Sequence, residues 1–387
     1  MLDLLIKQAN LKGELKDIAI VGNEIFSIKD NIELPATTLF YANGRVVIPG
    51  FVDCHTHLDK SMLNLKSDYF DGTGPEKGEL TLLRKKDFTL DDISERAEFV
   101  IKRAIKTGTL AIRTNVDVDS SVGLKGIESL IKLREKYKDV ITIQIAAFAQ
   151  EGVFYDGKTE ELLIQAIKMG ADLIGGHTIA KGEGKEHIDF ILDIAKKYNI
   201  EADFHLDESG NREHYLLPYL VEKMNELNLI GRVNGIHCCT LSALDDQELT
   251  HALDLAYKNQ LKVTVAPTAI ATRSLAPVKK LLDKGILVGL GSDNIRDFFN
   301  PLGSGDIKQV ALLLSYVHRF YKEDETSQIW SMITENGAKI LGLKDYDFKE
   351  NSIANITVLD AYSTKEVIAF TSQPVLIVRA GKVVDLQ

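Results

Sequence analysis

Two histidines separated by a single residue, His55 and His57, close an apolar run that begins at Val47. In an extended chain the side chains alternate faces, so both imidazoles point one way while Cys54 and Thr56 point the other. Two imidazoles on one face at a strand end make half of a divalent-metal site. A His-x-His pair also arises by chance. Its meaning therefore depends on what the rest of the chain brings to the same place.

The elements that must position such a pair follow from the alternation of the chain. After the strand ending at His57, apolar runs at Leu110–Val116, Val140–Phe148, Asp172–Gly176, Ile200–His205, Val233–Cys238, Val263–Ala266 and Ile286–Gly291 alternate with charged helical stretches such as Ile127–Glu135. Strands alternating with helices predict a parallel sheet with crossover helices. Eight such strands predict a closed α/β barrel of the (β/α)8 TIM type, whose chemistry sits at the C-terminal strand ends.

The two ends of the chain read differently. Asp17–Val21 and Ile25–Ile28 near the start, and Ala354–Leu359 and Val375–Val378 near the end, are short strands set between turns. They predict a small β-sandwich domain built from residues 1–48 and 350–387, around a barrel of residues 49–349. A length of 387 residues suits a barrel of ~250 residues plus a small addition.

The strand ends carry His55 and His57 on the first strand, Asn115 and Asp117 on the second, and Gln150 and Glu151 on the third. His177 follows the fourth, and His205 ends the fifth with Asp207 and Glu208 beyond it. His237 ends the sixth, Asp293 follows the eighth, and the seventh supplies no evident ligand. Three imidazoles and a carboxylate around an open position are what a hydrolytic divalent metal requires. Taken singly, each histidine reads as a hydrogen-bonded core residue, and Asp293 as a helix cap. The joint placement of His55, His57, His205, His237 and Asp293 argues for a shared site. His177 has no paired motif and reads as packing, while His187, His214, His251 and His318 fall in helices or loops.

Composition narrows the partners. A net charge of -10 argues against a nucleic-acid surface, and no apolar run approaches the ~18 residues of a membrane span. With no signal-peptide pattern at its start, the chain reads as cytoplasmic. Three cysteines, two of them the adjacent Cys238 and Cys239, cannot make a disulfide framework and lack a metal-binding spacing, so packing is their reading.

These residues resemble the amidohydrolase superfamily, and within it the cytosine deaminase-like branch. The resemblance is carried by Pro49-Gly50-Phe51-Val52-Asp53-Cys54-His55-Thr56-His57, Phe148-Ala149-Gln150-Glu151-Gly152, His205-Leu206-Asp207-Glu208, His237 and Ser292-Asp293-Asn294. It extends equally to the N-isopropylammelide amidohydrolase branch, through His57-Leu58-Asp59-Lys60-Ser61, Asp117-Val118-Asp119-Ser120 and Asp293-Asn294-Ile295-Arg296-Asp297-Phe298.

The resemblance implies that His55, His57, His205 and Asp293 hold one divalent ion per chain, Zn²⁺ or Fe²⁺, with His237 beside the attacking water. No lysine ends the fourth strand to bridge a second ion, so one metal is expected. It implies hydrolytic deamination of cytosine or a related amino-substituted N-heterocycle. Glu208 would shuttle protons, as the glutamate three residues past the fifth-strand histidine does in cytosine deaminases, whereas the triazine branch carries a histidine there. Gln150, as donor and acceptor at once, would read the ring.

Two departures stand beside this. Asn115 replaces a histidine usual in both branches, and Asn294 stands where cytosine deaminase carries a second aspartate, offering an NH₂ donor to the substrate instead. The Asp-Asn-Ile-Arg-Asp run favours the alternative, hydrolysis of an N-alkylamine from a triazine-like ring, and Glu208 opposes it. Lys60 reads equally as a substrate contact or as half of an ion pair. A catalytically inactive barrel serving as a binding protein is the remote third reading, and a homo-oligomer is left open.

Overall fold

The computed structural model describes residues 1–63, 77–344 and 346–385. Strands β1 (Leu2–Leu11), β2 (Glu14–Val21), β3 (Glu24–Lys29) and β4 (Ala36–Tyr41) form a sheet in the order β3-β2-β1-β4. Strand β5 (Val47–Ile48) crosses to a second sheet. There it pairs with β14 (Ile356–Leu359), followed by β15 (Pro374–Arg379) and β16 (Lys382–Val383). Leu4, Ile6, Ile18 and Ile20 of the first sheet share a buried core with Val47, Ile356, Val358 and Val378 of the second. The termini thus make one sandwich.

The central strand β1 was not legible as a strand. Its register shifts between Ile6 and Ala9, and Gln8 adopts φ 55°. A bulge of this kind inserts an extra residue and destroys the two-residue alternation by which a strand is recognised.

Between the terminal segments, β6 (Phe51–Thr56), β7 (Thr109–Asp117), β8 (Thr142–Ala149), β9 (Leu173–His177), β10 (Glu201–Leu206), β11 (Val233–His237), β12 (Lys262–Val265) and β13 (Val288–Leu290) form one parallel sheet in chain order. Helix α1 (Lys77–Lys85) precedes the first crossover helix, α2 (Leu90–Lys106). In α2, Ile93, Ala97, Val100, Ile101 and Ala104 recur at three- and four-residue spacing and are buried. That stripe packs on the sheet, and Thr89 caps the helix by accepting from the Asp92 N–H.

The sheet closes on itself between β13 and β6. Asp293 donates its N–H to the His55 carbonyl at 2.9 Å and accepts from Thr56 Oγ1 at 2.9 Å. Gly291 permits this approach, because a Cβ there would lie 2.7 Å from the His55 Cβ and 2.8 Å from its carbonyl oxygen. Gly291→Ala is therefore expected to cost ~1–3 kcal/mol by overpacking, read as a lowered denaturation midpoint. A midpoint equal to that of the wild type would mean that the two strands have room to part.

Beneath the strand ends the barrel interior is polar. Arg113 is buried and donates to Gln144 Oε1 at 3.0 and 3.1 Å and to the Ile340 carbonyl at 3.0 Å, with Glu201 at 3.2 Å. This cluster fills the floor beneath the C-terminal strand ends.

Candidate active site

Strands β6, β10 and β11 and the turn after β13 bring His55, His57, His205, His237 and Asp293 into one buried cluster. The rings of His55 and His57 are 4.8 Å apart between centroids, those of His55 and His205 5.0 Å, and those of His205 and His237 4.8 Å. Asp293 Oδ1 lies 3.2 Å from His55 Nε2 and 3.5 Å from His57 Nε2. Ligand atoms of His55, His57 and His205 all lie within 4.8 Å of one another, as do those of His55, His237 and Asp293. His237 and Asp293 hold left-handed backbone, φ 72° and 59°. Strain of this kind persists only where the surroundings enforce it. Asp53 supplies part of that enforcement by accepting from Ser292 Oγ at 2.5 Å and Ser292 N at 3.0 Å.

The donors suit a divalent ion. His57 Nδ1 donates to the Asn115 carbonyl at 3.2 Å and His205 Nδ1 donates to Glu208 Oε2 at 3.0 Å, which leaves each Nε2 as a bare lone pair. His205 Nε2 is buried with no partner in the protein. Metal-bound histidines are oriented in this way by a carbonyl or carboxylate behind them. Burial, with help from neighbouring cations, pushes His57 well below its ordinary pKa. Burial likewise brings His205 to about 3 and His237 to about 4, despite Glu208 beside them. All three rings are therefore neutral at pH 7, as ligation requires. Burial raises Asp293, but His55, His237 and His205 outweigh it and hold the carboxyl ionised.

The cavity above the cluster, about 380 Å³, is lined by His57, Gln150, Glu208, Arg273, Asp293 and Asn294 among others. A larger hollow of about 520 Å³ lies between the sandwich and the barrel, beside Val47, Trp330 and Tyr346. None of the clustered histidines lines it, so the smaller cavity is the chemical site. Glu208 faces both cluster and cavity. Its Oε2 meets His205 Nδ1 and, at 3.1 Å, His177 Nε2, while its Oε1 pairs with Arg273 and lies 3.9 Å from His237 Nε2. Burial opposes its charge, but His237, Arg273, His177 and His205 together hold it well below the usual glutamate range.

Lys60 is an ion-pair residue. Buried, it donates to Asp117 Oδ1 and Oδ2 at 3.0 and 3.2 Å and to Gln150 Oε1 at 3.0 Å. This occupies the acceptor end of Gln150, so its Nε2 is what remains for a ligand. Asn294 is fixed in the opposite sense: its Nδ2 donates to Asp297 Oδ2, which leaves Oδ1 for the cavity rather than the expected donor. Asn115 offers its backbone to His57, and its side-chain Nδ2 and Oδ1 are buried without partners.

His177 reaches the site through Glu208 rather than serving as packing. Arg273, beyond the seventh strand, went unnoticed because no spacing pattern marks a single arginine in a loop. Cys54, Cys238 and Cys239 are buried, and among the described residues none belongs to a ligand cluster.

A model of the amidohydrolase family matches residues 46–384. The chain belongs to the amidohydrolase family. It is 33% identical to N-isopropylammelide isopropyl amidohydrolase of Pseudomonas sp. (strain ADP), over 99% of this chain and 97% of that one. Among solved structures it is similar to 5-methylcytosine deaminase of Klebsiella pneumoniae bound to phosphonocytosine, with a TM-score of 0.93 and 27% identity. That alignment covers 99% of this chain and 98% of that chain. N-isopropylammelide isopropylaminohydrolase of Burkholderia multivorans gives a TM-score of 0.91 at 26% identity, covering 99% and 98%. This amidohydrolase therefore shares its architecture across nearly its whole length with a deaminase and an isopropylaminohydrolase.

Proposed function

We propose that this amidohydrolase hydrolyses the exocyclic amine of cytosine or a related amino-substituted N-heterocycle and releases ammonia. His55, His57, His205 and Asp293 hold one Zn²⁺ or Fe²⁺ in this reading. The observation that carries it is the carboxylate of Glu208, which lies between the imidazole cluster and the cavity. A divalent ion held there supplies a water whose pKa falls from ~15.7 towards ~7.

The residues divide the proton work. Asp293, ionised and in van der Waals reach of the cluster, accepts the proton of the attacking water. Glu208, ionised at rest, receives that proton and delivers it to the ring nitrogen as charge builds there. It then carries the second water proton, lost by the newly attached hydroxyl as the carbonyl forms, to the departing amine, so that ammonia rather than amide ion leaves. Positioned acid-base catalysis of this kind contributes ~10²–10⁴-fold. His237, 3.9 Å from Glu208, polarises the attacked carbon's surroundings and steers the water. Gln150 Nε2 donates to a ring acceptor and Asn294 Oδ1 accepts from a ring N–H, the two halves of a lactam edge.

A second reading, release of an N-alkylamine from a triazine-like ring, is favoured by the 33% identity to the Pseudomonas enzyme. The same metal-site residues would serve it, and Glu208 is the residue that counts against it. Metal analysis with amine-release assays on cytosine, isocytosine, creatinine, aminotriazines and N-isopropylammelide separates the two. Ammonia from an unsubstituted amine supports the first, and isopropylamine alone supports the second. Failure of all of these rings with metal-loaded protein would remove both.

Gln150→Leu is expected to weaken substrate capture by ~1–3 kcal/mol, about fivefold or more in KM, by leaving a ring acceptor unpaired in a dry pocket. Metal depletion or unfolding in this variant would instead assign Gln150 to the framework.

A further inference from the structure

Lys85, at the end of α1, has its ammonium completely buried among three carboxylates: Asp117 Oδ2 at 2.6 Å, Asp119 Oδ2 at 3.0 Å and Glu151 Oε1 at 3.3 Å. None of these four residues lines the cavity, and of the four Asp117 approaches the histidine cluster, its carboxylate lying within 4.8 Å of a ring nitrogen of His57. Burial disfavours the charged amine, but the three carboxylates outweigh it and hold Lys85 above the ordinary lysine range. Asp117 is shared. Its Oδ1 takes Lys60, and Lys60 in turn donates to Gln150 Oε1. A continuous chain of charge-assisted contacts therefore runs from Lys85 through Asp117 and Lys60 to the amide that faces the ring. The other end of α1 brings Lys77 to the cavity wall. One nine-residue helix thus touches the substrate space at its start and is fastened at its end.

We propose that Lys85 is a positioning residue: it latches α1 beside the cavity and, through Asp117, fixes Lys60 and the orientation of the Gln150 amide. The physical reason is charge balance. Lys60 and Lys85 together face four buried or part-buried carboxylates, Asp59, Asp117, Asp119 and Glu151. Without Lys85, Lys60 is the sole cation beside Asp117 and is drawn fully onto it. Gln150 Oε1 then loses its donor, and the amide is free to present either end to the ring. Asp119 and Glu151 repel each other and release the helix. Lys85 thereby sets substrate capture without taking part in the proton transfers.

The kinetic form of the test rests on the heterocycle reading above. In metal-loaded protein, Lys85→Met is expected to raise KM at least tenfold, change kcat less than threefold, and keep about one metal per chain. Combined with Gln150→Leu, it should add little to the KM of Gln150→Leu alone, because both act through one amide. Multiplying KM penalties, or an unchanged KM in Lys85→Met, overturns the proposal. Should Lys85→Met fail to fold, Lys85→Gln carries the same expectation, since it keeps a donor among the carboxylates but lacks the charge. If the wild-type protein turns over no ring at all, the heterocycle reading fails by itself. Hydrogen exchange then judges the latch: amides in both 77–85 and 149–154 must exchange faster in the variant, and acceleration confined to 77–85 overturns it.

Discussion

His205→Ala is expected to lose both the metal and turnover, with activity falling by ~10³-fold or more. The size follows from the several kcal/mol of transition-state charge stabilisation that a hydrolytic metal supplies, at ~1.36 kcal/mol for each factor of ten. His205 sits at the centre of the cluster, with rings of His55, His57 and His237 within 5.3 Å of it between centroids. Removing it takes away one ligand and also frees Glu208 from the N–H that holds Oε2. Elemental analysis of the purified variant beside an activity assay reads both effects. A variant that retained one metal per chain would show that His205 is not a ligand, and two metals per chain in the wild type would sink the single-ion assignment.

The second large effect is expected at Glu208. Glu208→Gln should keep the metal and the fold and lower kcat by ~10²–10⁴-fold, because an amide fills the space but cannot carry a proton. The contacts make this a sharp test. Glutamine retains one oxygen able to accept from His205 Nδ1, so the imidazole need not turn. What disappears is the negative charge opposite Arg273, His177 and His237. Near-normal turnover in this variant would reduce Glu208 to a residue that orients His205.

The barrel was legible in the sequence because each strand is a short apolar run separated by a charged helix, and because its chemistry gathers at strand ends. His55, His57, His205, His237 and Asp293 could be brought together from strand order alone, and their side chains do meet. The contacts between segments far apart in sequence were not legible. Arg273 meets Glu208 across 65 positions of sequence, and Lys85 meets Glu151 across 66. No local periodicity encodes such pairs. The polarity of the amides was hidden for a related reason. An asparagine or glutamine reads as donor and acceptor alike until its neighbours are known, and here Asp297 occupies one end of Asn294 while Lys60 occupies the other end of Gln150.

The joint between β13 and β6 has a thermodynamic meaning. Strand β13 is only three residues long, and the backbone contacts that complete the ring run through His55, Thr56 and Asp293. With the proposed ligands, the ion is a clasp across the weakest seam of the barrel. An ion that binds the native chain and not the unfolded one adds RT ln(1 + [L]/Kd) to stability. For this enzyme that increment would fall on the joint between β13 and β6. With an ion held there, heat resistance would rise with the free metal concentration around the protein, and its removal would be felt first as lost stability at this joint.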